Sequence, residues 1–384
     1  MRAEDARKAG LISAAAFSGS AWLWGGASLA GPALSITLLL WIALGRSAPQ
    51  RLLVAMAYYL TGSWPIVGAV LGYWGPHHVV AAVGAWFGTS LLLASPWGIP
   101  PRRGGLLAAL VSTAVPPLGV IGWLSPLTAA GALFPATGWF GIICLMMMTV
   151  ALPGALHGNI VARWLLASLI GLALGANCAA RLAPESHLPS GWVGVQTRIN
   201  PGGGNVLAST QNNQAVISAG IEQGLGARVV VFPEAIVPNW YDGTRSQLSA
   251  AVPLGQTWLL GVQTKERDAV VLARPGSAQP VPLVAAAGLL LGGDWQPWNP
   301  RSLHPAWWQR VFEIDGRRVW AAICVEQVQP WAWLEALAQR PDVILEQSNA
   351  WWAGRAMTAP KIQHASTKAW ARLMDLPVVS AVNR

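Results

Sequence analysis

Charge is what this sequence has least of. Only 11% of its 384 residues are Asp, Glu, Lys or Arg, against about 25% in an ordinary soluble domain. That shortage excludes a disordered chain and a water-soluble α/β enzyme with an ordinary surface. Acids are scarcest in the first half, where residues 1–190 hold three (Glu4, Asp5 and Glu185) beside nine basic residues. No Asp, Glu or Lys falls inside the long apolar stretches of that half. Ion-coupled transporters and proton relays normally carry one there, so transport is disfavoured. Cysteine is scarce too, with three residues in all. Cys144 and Cys178 fall in apolar stretches, where a small packing role is the default. Cys324 stands alone in the second half, so no disulfide can form within it. The six histidines are scattered without an HxxxH or HExxH spacing, which leaves no signal for a metal. Nothing in the sequence asks for a cofactor.

What the chain has in abundance is apolar surface. Hydrophobic residues make up 53%, mean hydropathy is +0.43, and there are 23 Trp against 4 Tyr. These figures point to a membrane protein. The second half keeps 16 of the 25 basic and 13 of the 16 acidic residues, so the net charge of +9 comes mostly from the first half. Basic residues flanking apolar spans account for it. The basic balance is therefore no argument for nucleic acid, and no nucleic-acid partner is expected.

Three stretches carry no charge: Ala9 to Gly45, Leu52 to Pro101 and Gly104 to Ala162. A span needs about 20 apolar residues, so each stretch is long enough for two helices. The internal turns are expected at Gly31-Pro32, at Gly75 to His78, and between Ser125 and Pro135. Trp164 to Ala180 fits one further helix, for a bundle of about seven spans. The basic groups Arg2/Arg7/Lys8, Arg46/Arg51, Arg102/Arg103 and Arg163 recur after every second span. That is the pattern of cytoplasmic loops. It predicts a cytoplasmic N-terminus, a bacterial inner-membrane location and a periplasmic second half. The first span reads as an anchor.

After a junction at Leu182–Ser190 the pattern changes to α/β. Strands are predicted at Gly191–Arg198, Arg228–Phe232, Trp258–Gln263, Ala269–Ala273, Pro280–Val284, Val311–Ile314, Val319–Cys324, Asp342–Gln347 and Leu376–Val382. Helices are predicted at Gln211–Leu225, Pro330–Gln339 and Ile362–Met374. The Asp315-Gly316 pair reads as a hairpin turn. The domains are thus a membrane bundle over residues 1–183 and an α/β domain over 190–384. Three features sit at strand ends, where sites are usually built: Glu234 in VVVFPEAIVP, Cys324 in WAAICVEQ, and Ser348-Asn349-Ala350-Trp351-Trp352. An acid and a thiol at neighbouring strand ends can form a base–nucleophile pair. Taken singly, a Cys in an apolar strand is more often packing, and a Glu after a strand more often a cap.

Together these segments resemble the nitrilase (carbon–nitrogen hydrolase) superfamily. The layout resembles apolipoprotein N-acyltransferase, a bundle followed by a periplasmic nitrilase domain. Size, Trp content and the altered motifs are most similar to the conjugal transfer protein TraB branch of conjugative plasmids. The resemblance implies a four-layer αββα sandwich, with Glu234 as general base and Cys324 as nucleophile through a thioester. Glu326, two residues after the thiol, matches a secondary acid. Gln363-His364 with Arg372, and Ala381-Val382-Asn383, match the family's following helix and strand. It also implies partners: the lipid bilayer, a phospholipid or acylated-protein substrate, and conjugation or pilus machinery.

The family's triad also includes a lysine that stabilises the oxyanion, as preorganised charge does. It stands eight residues before the acid of a Gly-Glu-aromatic motif. Gly293-Asp294-Trp295 fits that motif, and makes Asp294 a further secondary acid. Counting back lands on Ala286, with no lysine in the segment. Lys361 is the best-placed substitute cation, ahead of Lys265 and Arg274. The chain ends at Arg384, before the strands and last span that the acyltransferase adds. Two functions stay open, an amidase or N-acyltransferase-like enzyme and a catalytically degenerate scaffold that binds a conjugation or pilus component. Six tryptophans (Trp295, Trp298, Trp307, Trp308, Trp351, Trp352) suggest an apolar, membrane-proximal mouth, with core packing as the plainer alternative.

Overall fold

The structure is a computed structural model that describes residues 3–25, 29–102, 104–184, 186–200, 206–354 and 357–384. Arg2, Arg103 and Glu185, used above for topology and charge, lie outside the described residues. The chain divides into two compact units. The first comprises Met1–Glu185, Val328–Trp331 and Arg355–Asp375, and the second Ser186–Gln327, Ala332–Gly354 and Leu376–Arg384.

The first unit is helical. Its elements are α1 (Ala3–Ser20), α2 (Ala30–Ser35), α3 (Thr37–Ala43), α4 (Ala48–Gly62), α5 (Pro65–Trp74), α6 (Val79–Ala94), α7 (Gly105–Ala114), α8 (Ala129–Leu133), α9 (Trp139–Leu156) and α10 (Ile160–Leu182). Local chemistry sets the starts. The Ser47 hydroxyl accepts the Gln50 N–H at the head of α4, and Asn159 Oδ1 accepts the Ala162 N–H at the head of α10. Both satisfy a donor that a helix start leaves unpaired. Among the described residues, three helical segments are long and apolar enough to cross a membrane: Val79–Gly98, Trp139–Leu156 and Ile160–Leu182. The bent pair α4–α5, with 48° between its halves, makes up to four. Val80, Phe87, Leu91 and Leu92 on α6, and Val161, Trp164 and Leu174 on α10, face outward. Soluble monomers rarely expose contiguous apolar area on that scale, and lipid would cover it.

The sequence led to about seven spans, whereas three or four helices reach the length. The other apolar stretches are broken. Gly31-Pro32, expected as a turn, lies inside the first turn of α2, where proline is tolerated. The apolar run there is cut instead between α2 and α3 at Ile36. The turn at Gly75 to His78 falls where expected, between α5 and α6.

A later helix, α14 (Ala359–Met374), belongs to this unit. Its C-terminal carbonyls on Arg372 and Leu373 accept the Ala136 and Gly138 N–H groups at 2.8 and 2.9 Å. An Arg372 Nη2 donates to Asn177 Oδ1 on α10 at 2.7 Å. Hydropathy could not foretell this membership, because hydrogen bonds and small residues make the contact.

The second unit is α/β. One sheet runs β1 (Trp192–Gly194), β3 (Val229–Val231), β4 (Thr257–Gln263), β5 (Asp268–Arg274) and β6 (Ser277–Ala278), with β7 (Val284–Ala285) also on β5. The other runs β2 (Gln196–Thr197), β11 (Val378–Asn383), β10 (Val343–Asn349), β9 (Arg317–Ile323) and β8 (Phe312–Ile314). Both are mixed, parallel at β1–β3–β4 and β2–β11–β10–β9 and antiparallel elsewhere. One core joins Val229, Val231 and Leu259 of the first sheet to Val319, Ala321, Leu345 and Val379 of the second. The sheets therefore stack face to face. The outer face of the first sheet packs Val230, Phe232 and Trp258 against Val216 of α11 (Val206–Gln223) and Leu248 of α12 (Asp242–Ala251). Helix α13 (Pro330–Gln339) follows β9.

The strand expected over Gly191–Arg198 is two strands, because the chain changes sheet at Val195. The strand expected at Pro280–Val284 is the shorter β7. Helix α12 was not expected, since its sequence DGTRSQLSAA is mostly polar.

Candidate active site

Four chemistry-bearing side chains of the second unit converge. Cys324 directly follows β9 and opens a tight turn over Cys324–Val328. Its φ is 48°, a left-handed value that residues other than glycine rarely adopt. Such strain persists only where the surroundings hold it, and it clusters at functional sites. The thiol is half-buried.

Glu234 follows β3 and is buried, with 7% exposure. Glycine places it there. A Cβ on Gly261 of β4 would lie 2.1 Å from the Pro233 carbonyl oxygen and 2.7 Å from Glu234 Cα, so only a bare backbone lets the FPEA segment settle. Glu234 Oε2 accepts the Asn349 N–H at 3.0 Å. The carboxyl lies near enough to the Cys324 thiol for each to shift the other's titration.

Two more acids complete the cluster. Asp294 acts on Glu234, Cys324 and Asp268 through its charge. Asp268 was missed from the sequence. It heads β5, is 5% exposed and lies near enough to Glu234 for the two carboxyls to shift each other's titration, while its Oδ1 has no hydrogen-bond partner among the described residues. The available signal was an acid opening the wholly apolar strand DAVVLA, where a buried charge needs a reason.

The acids act on one another and on the thiol. Burial first, and then the charges of Asp268 and Asp294, push the Glu234 carboxyl well above the usual range. Burial and Asp294 push Asp268 up to about 7. Burial, then Glu234, Asp294 and Asp268, push the Cys324 thiol well up. The ion pairs Arg228–Asp315 and Arg245–Asp242 lie apart from this cluster. Ala286 and Ala287 are buried where the cation was expected. Lys265 and Arg274 are exposed on the second unit, and Lys361 is exposed on α14 of the first. No group of three His, Cys, Asp or Glu among the described residues has metal-binding geometry.

Glu326 plays a different part from the other acids. It is fully buried, and its Oε1 accepts the Ala287 and Gly288 N–H groups at 2.5 and 3.2 Å. Its Oε2 accepts the Ile323 N–H at 2.8 Å. It ties the alanine segment to the end of β9, and so positions the thiol. Burial pushes it up to about 8, and the three N–H bonds work against that.

The Ser-Asn and Ala-Val-Asn segments form one device. Asn349 and Asn383 are register partners on β10 and β11. Asn383 Nδ2 donates to Asn349 Oδ1 at 2.8 Å, and Thr197 Oγ1 to Asn383 Oδ1 at 2.7 Å. Gln347 Nε2 donates to the Phe232 carbonyl at 2.7 Å. The first two bonds tie β2, β10 and β11 of one sheet together, and the third links that sheet to the other beside Glu234. Of the six tryptophans, Trp298, Trp307 and Trp308 are exposed, with Trp295 edge-on to Trp307 at 5.2 Å. Trp351 and Trp352 are half-buried.

Fold and site together define an apolar helical unit joined to an α/β unit that carries a strained cysteine against a buried glutamate. No protein-family model matches the chain. It is 28% identical over 407 residues to a protein of Agrobacterium fabrum named conjugal transfer protein TraB, covering 94% of this chain and 89% of that protein. It is also 28% identical over 297 residues to a protein of Sinorhizobium fredii named "Probable conjugal transfer protein TraB", covering 72% of each.

Proposed function

We propose that this is a membrane protein of plasmid conjugation whose α/β unit is a nitrilase-like domain acting by acyl transfer through Cys324. The names of its relatives support the conjugation role. One observation carries the chemistry: a cysteine held at left-handed φ, with a buried glutamate beside it. Facing stacked sheets with helices outside fit the four-layer sandwich of that superfamily.

In this reading Cys324 sulfur bonds an ester or amide carbonyl carbon, and its proton passes to Glu234. The carbonyl electron pair moves to oxygen and returns as the leaving alcohol or amine departs with the proton from Glu234. Water or a second amine then resolves the thioester by the same route. A phospholipid or an acylated protein would supply the acyl group, entering past the exposed tryptophans.

The bundle would span the inner membrane seven times, as α1, α2–α3, the bent α4–α5, α6, α7–α8, α9 and α10. Its N-terminus would be cytoplasmic and the domain over 190–384 periplasmic. Partners would be the bilayer and the conjugation or pilus machinery. A second reading, a degenerate scaffold, is favoured by one specific observation, that buried Ala286 stands where the family's lysine is expected. Cys324→Ser in the conjugating strain separates the two. Acyl transfer predicts a fall in conjugation frequency of about 100-fold or more, the scale of losing a catalytic group, at normal protein level. Unchanged transfer would leave only the scaffold.

A further inference from the structure

The basic residues of the first unit converge in space. Arg7 of α1, Arg46 and Arg51 at the α3–α4 turn, Arg102 before α7 and His157 after α9 line one cavity of about 620 Å³. Cavities that hold small ligands are on the order of 300–1,000 Å³. None of its described lining residues is acidic, and no ion pair among the described residues involves these arginines.

Backbone carbonyls use part of this donor capacity. An Arg7 Nη2 donates to the Leu44 carbonyl at 2.7 Å. Arg51 donates to the Gly45 and Gly98 carbonyls at 3.3 and 2.8 Å. These contacts neutralise the C-terminal end of α3 and fix both guanidinium planes. Arg51 is only 5% exposed, and its Nε is buried without a hydrogen-bond partner among the described residues. Burying a charge without a counter-charge is costly, and a guanidinium offers five donors. His157 Nδ1 lies 2.6 Å from the Pro153 carbonyl, which makes it the donor there, and Nε2 faces an Arg102 Nη2 at 3.4 Å. Arg46 and Arg102 are exposed at the rim.

Flanking arginines of a membrane bundle ordinarily spread into water or headgroups. Here they ring a half-open cavity, one of them buried with a donor to spare. We infer that this cavity is a binding site for a phosphate group, either a lipid headgroup phosphate or a free phosphate. Guanidinium forks suit the tetrahedral oxyanion. The site is independent of Cys324 and of any acyl transfer.

The test uses the full chain purified in dodecyl maltoside, and a double variant Arg46→Gln/Arg102→Gln. Both side chains are exposed, so the fold should tolerate their loss, and circular dichroism checks it. One arm titrates inorganic phosphate by calorimetry, with chloride at matched ionic strength to remove screening. The other measures bound phosphatidylglycerol by native mass spectrometry. Saturable binding in either arm, at least tenfold weaker in the double variant, is the expected result. Phosphate binding alone identifies the free anion, and lipid binding alone the headgroup. No saturable binding in either arm, or equal binding by wild type and double variant in both, would overturn the site.

Discussion

The two units hold charge in opposite ways. At one end of the helical unit, cations surround a cavity whose described lining residues include no acid. In the α/β unit, the charges of Glu234, Asp294 and Asp268 all act on one thiol. A core built only for stability pairs or excludes such groups. Imbalance of either sign marks a place where something else supplies the counter-charge, and perturbed groups cluster at functional sites for that reason.

The largest effect expected comes from filling a backbone contact in each unit. Gly261→Ala would place a Cβ 2.1 Å from the Pro233 carbonyl, and Gly131→Ala a Cβ 1.7 Å from the Ala369 carbonyl on α14. Each should lower stability by about 2–4 kcal/mol, read by urea unfolding followed through Trp fluorescence. Gly261→Ala should also slow alkylation of Cys324, whereas Gly131→Ala should not. Equal loss of thiol reactivity in both would erase the distinction between the units.

The next effect is in pH. Asp268 rises from 3.8 to about 7 on folding, so the folded unit binds more protons than the unfolded chain between those values. The stability from this group is full below pH 3.8 and is lost as pH rises through 7. Asp268→Asn is neutral throughout, so its stability relative to wild type should climb between pH 5 and 8, by on the order of 2 kcal/mol. The helical unit has no buried carboxyl among its described residues and should lack that slope. A parallel pair of pH curves for wild type and variant would count against the acid cluster. The smallest effect belongs to Arg228–Asp315, whose side chains are 61% and 37% exposed. Arg228→Ala should change stability by about 0.5 kcal/mol or less.

Much of the α/β unit was legible because its signals are local. RVVVF is apolar and β-branched, and forms β3. Asp315-Gly316 closes the two-residue turn of β8–β9, with Ile314 opposite Arg317. Glu234, Cys324 and Asn349 were readable from motif order, and they meet. What escaped depends on distant parts of the chain. The sheet change at Val195 leaves the alternation of WVGVQT undisturbed. Asp268 looks like a turn residue until Glu234, 34 positions earlier, is folded against it. The arginines read as flanks of separate spans, and only packing brings Arg7 and Arg102 to one cavity. The division of the apolar runs into helices was less legible for a local reason that hydropathy averages away, since a long apolar run says nothing of where its helix breaks.

The most direct measurement is covalent labelling of Cys324 by an activated acyl ester, followed by intact mass in a Cys144→Ala/Cys178→Ala background. If Glu234 is the base for this thiol, one acyl group adds at Cys324, hydroxylamine releases it, and Glu234→Gln slows its formation by about 100-fold. Labelling at the same rate with and without the Glu234 carboxylate would contradict acyl transfer by this pair.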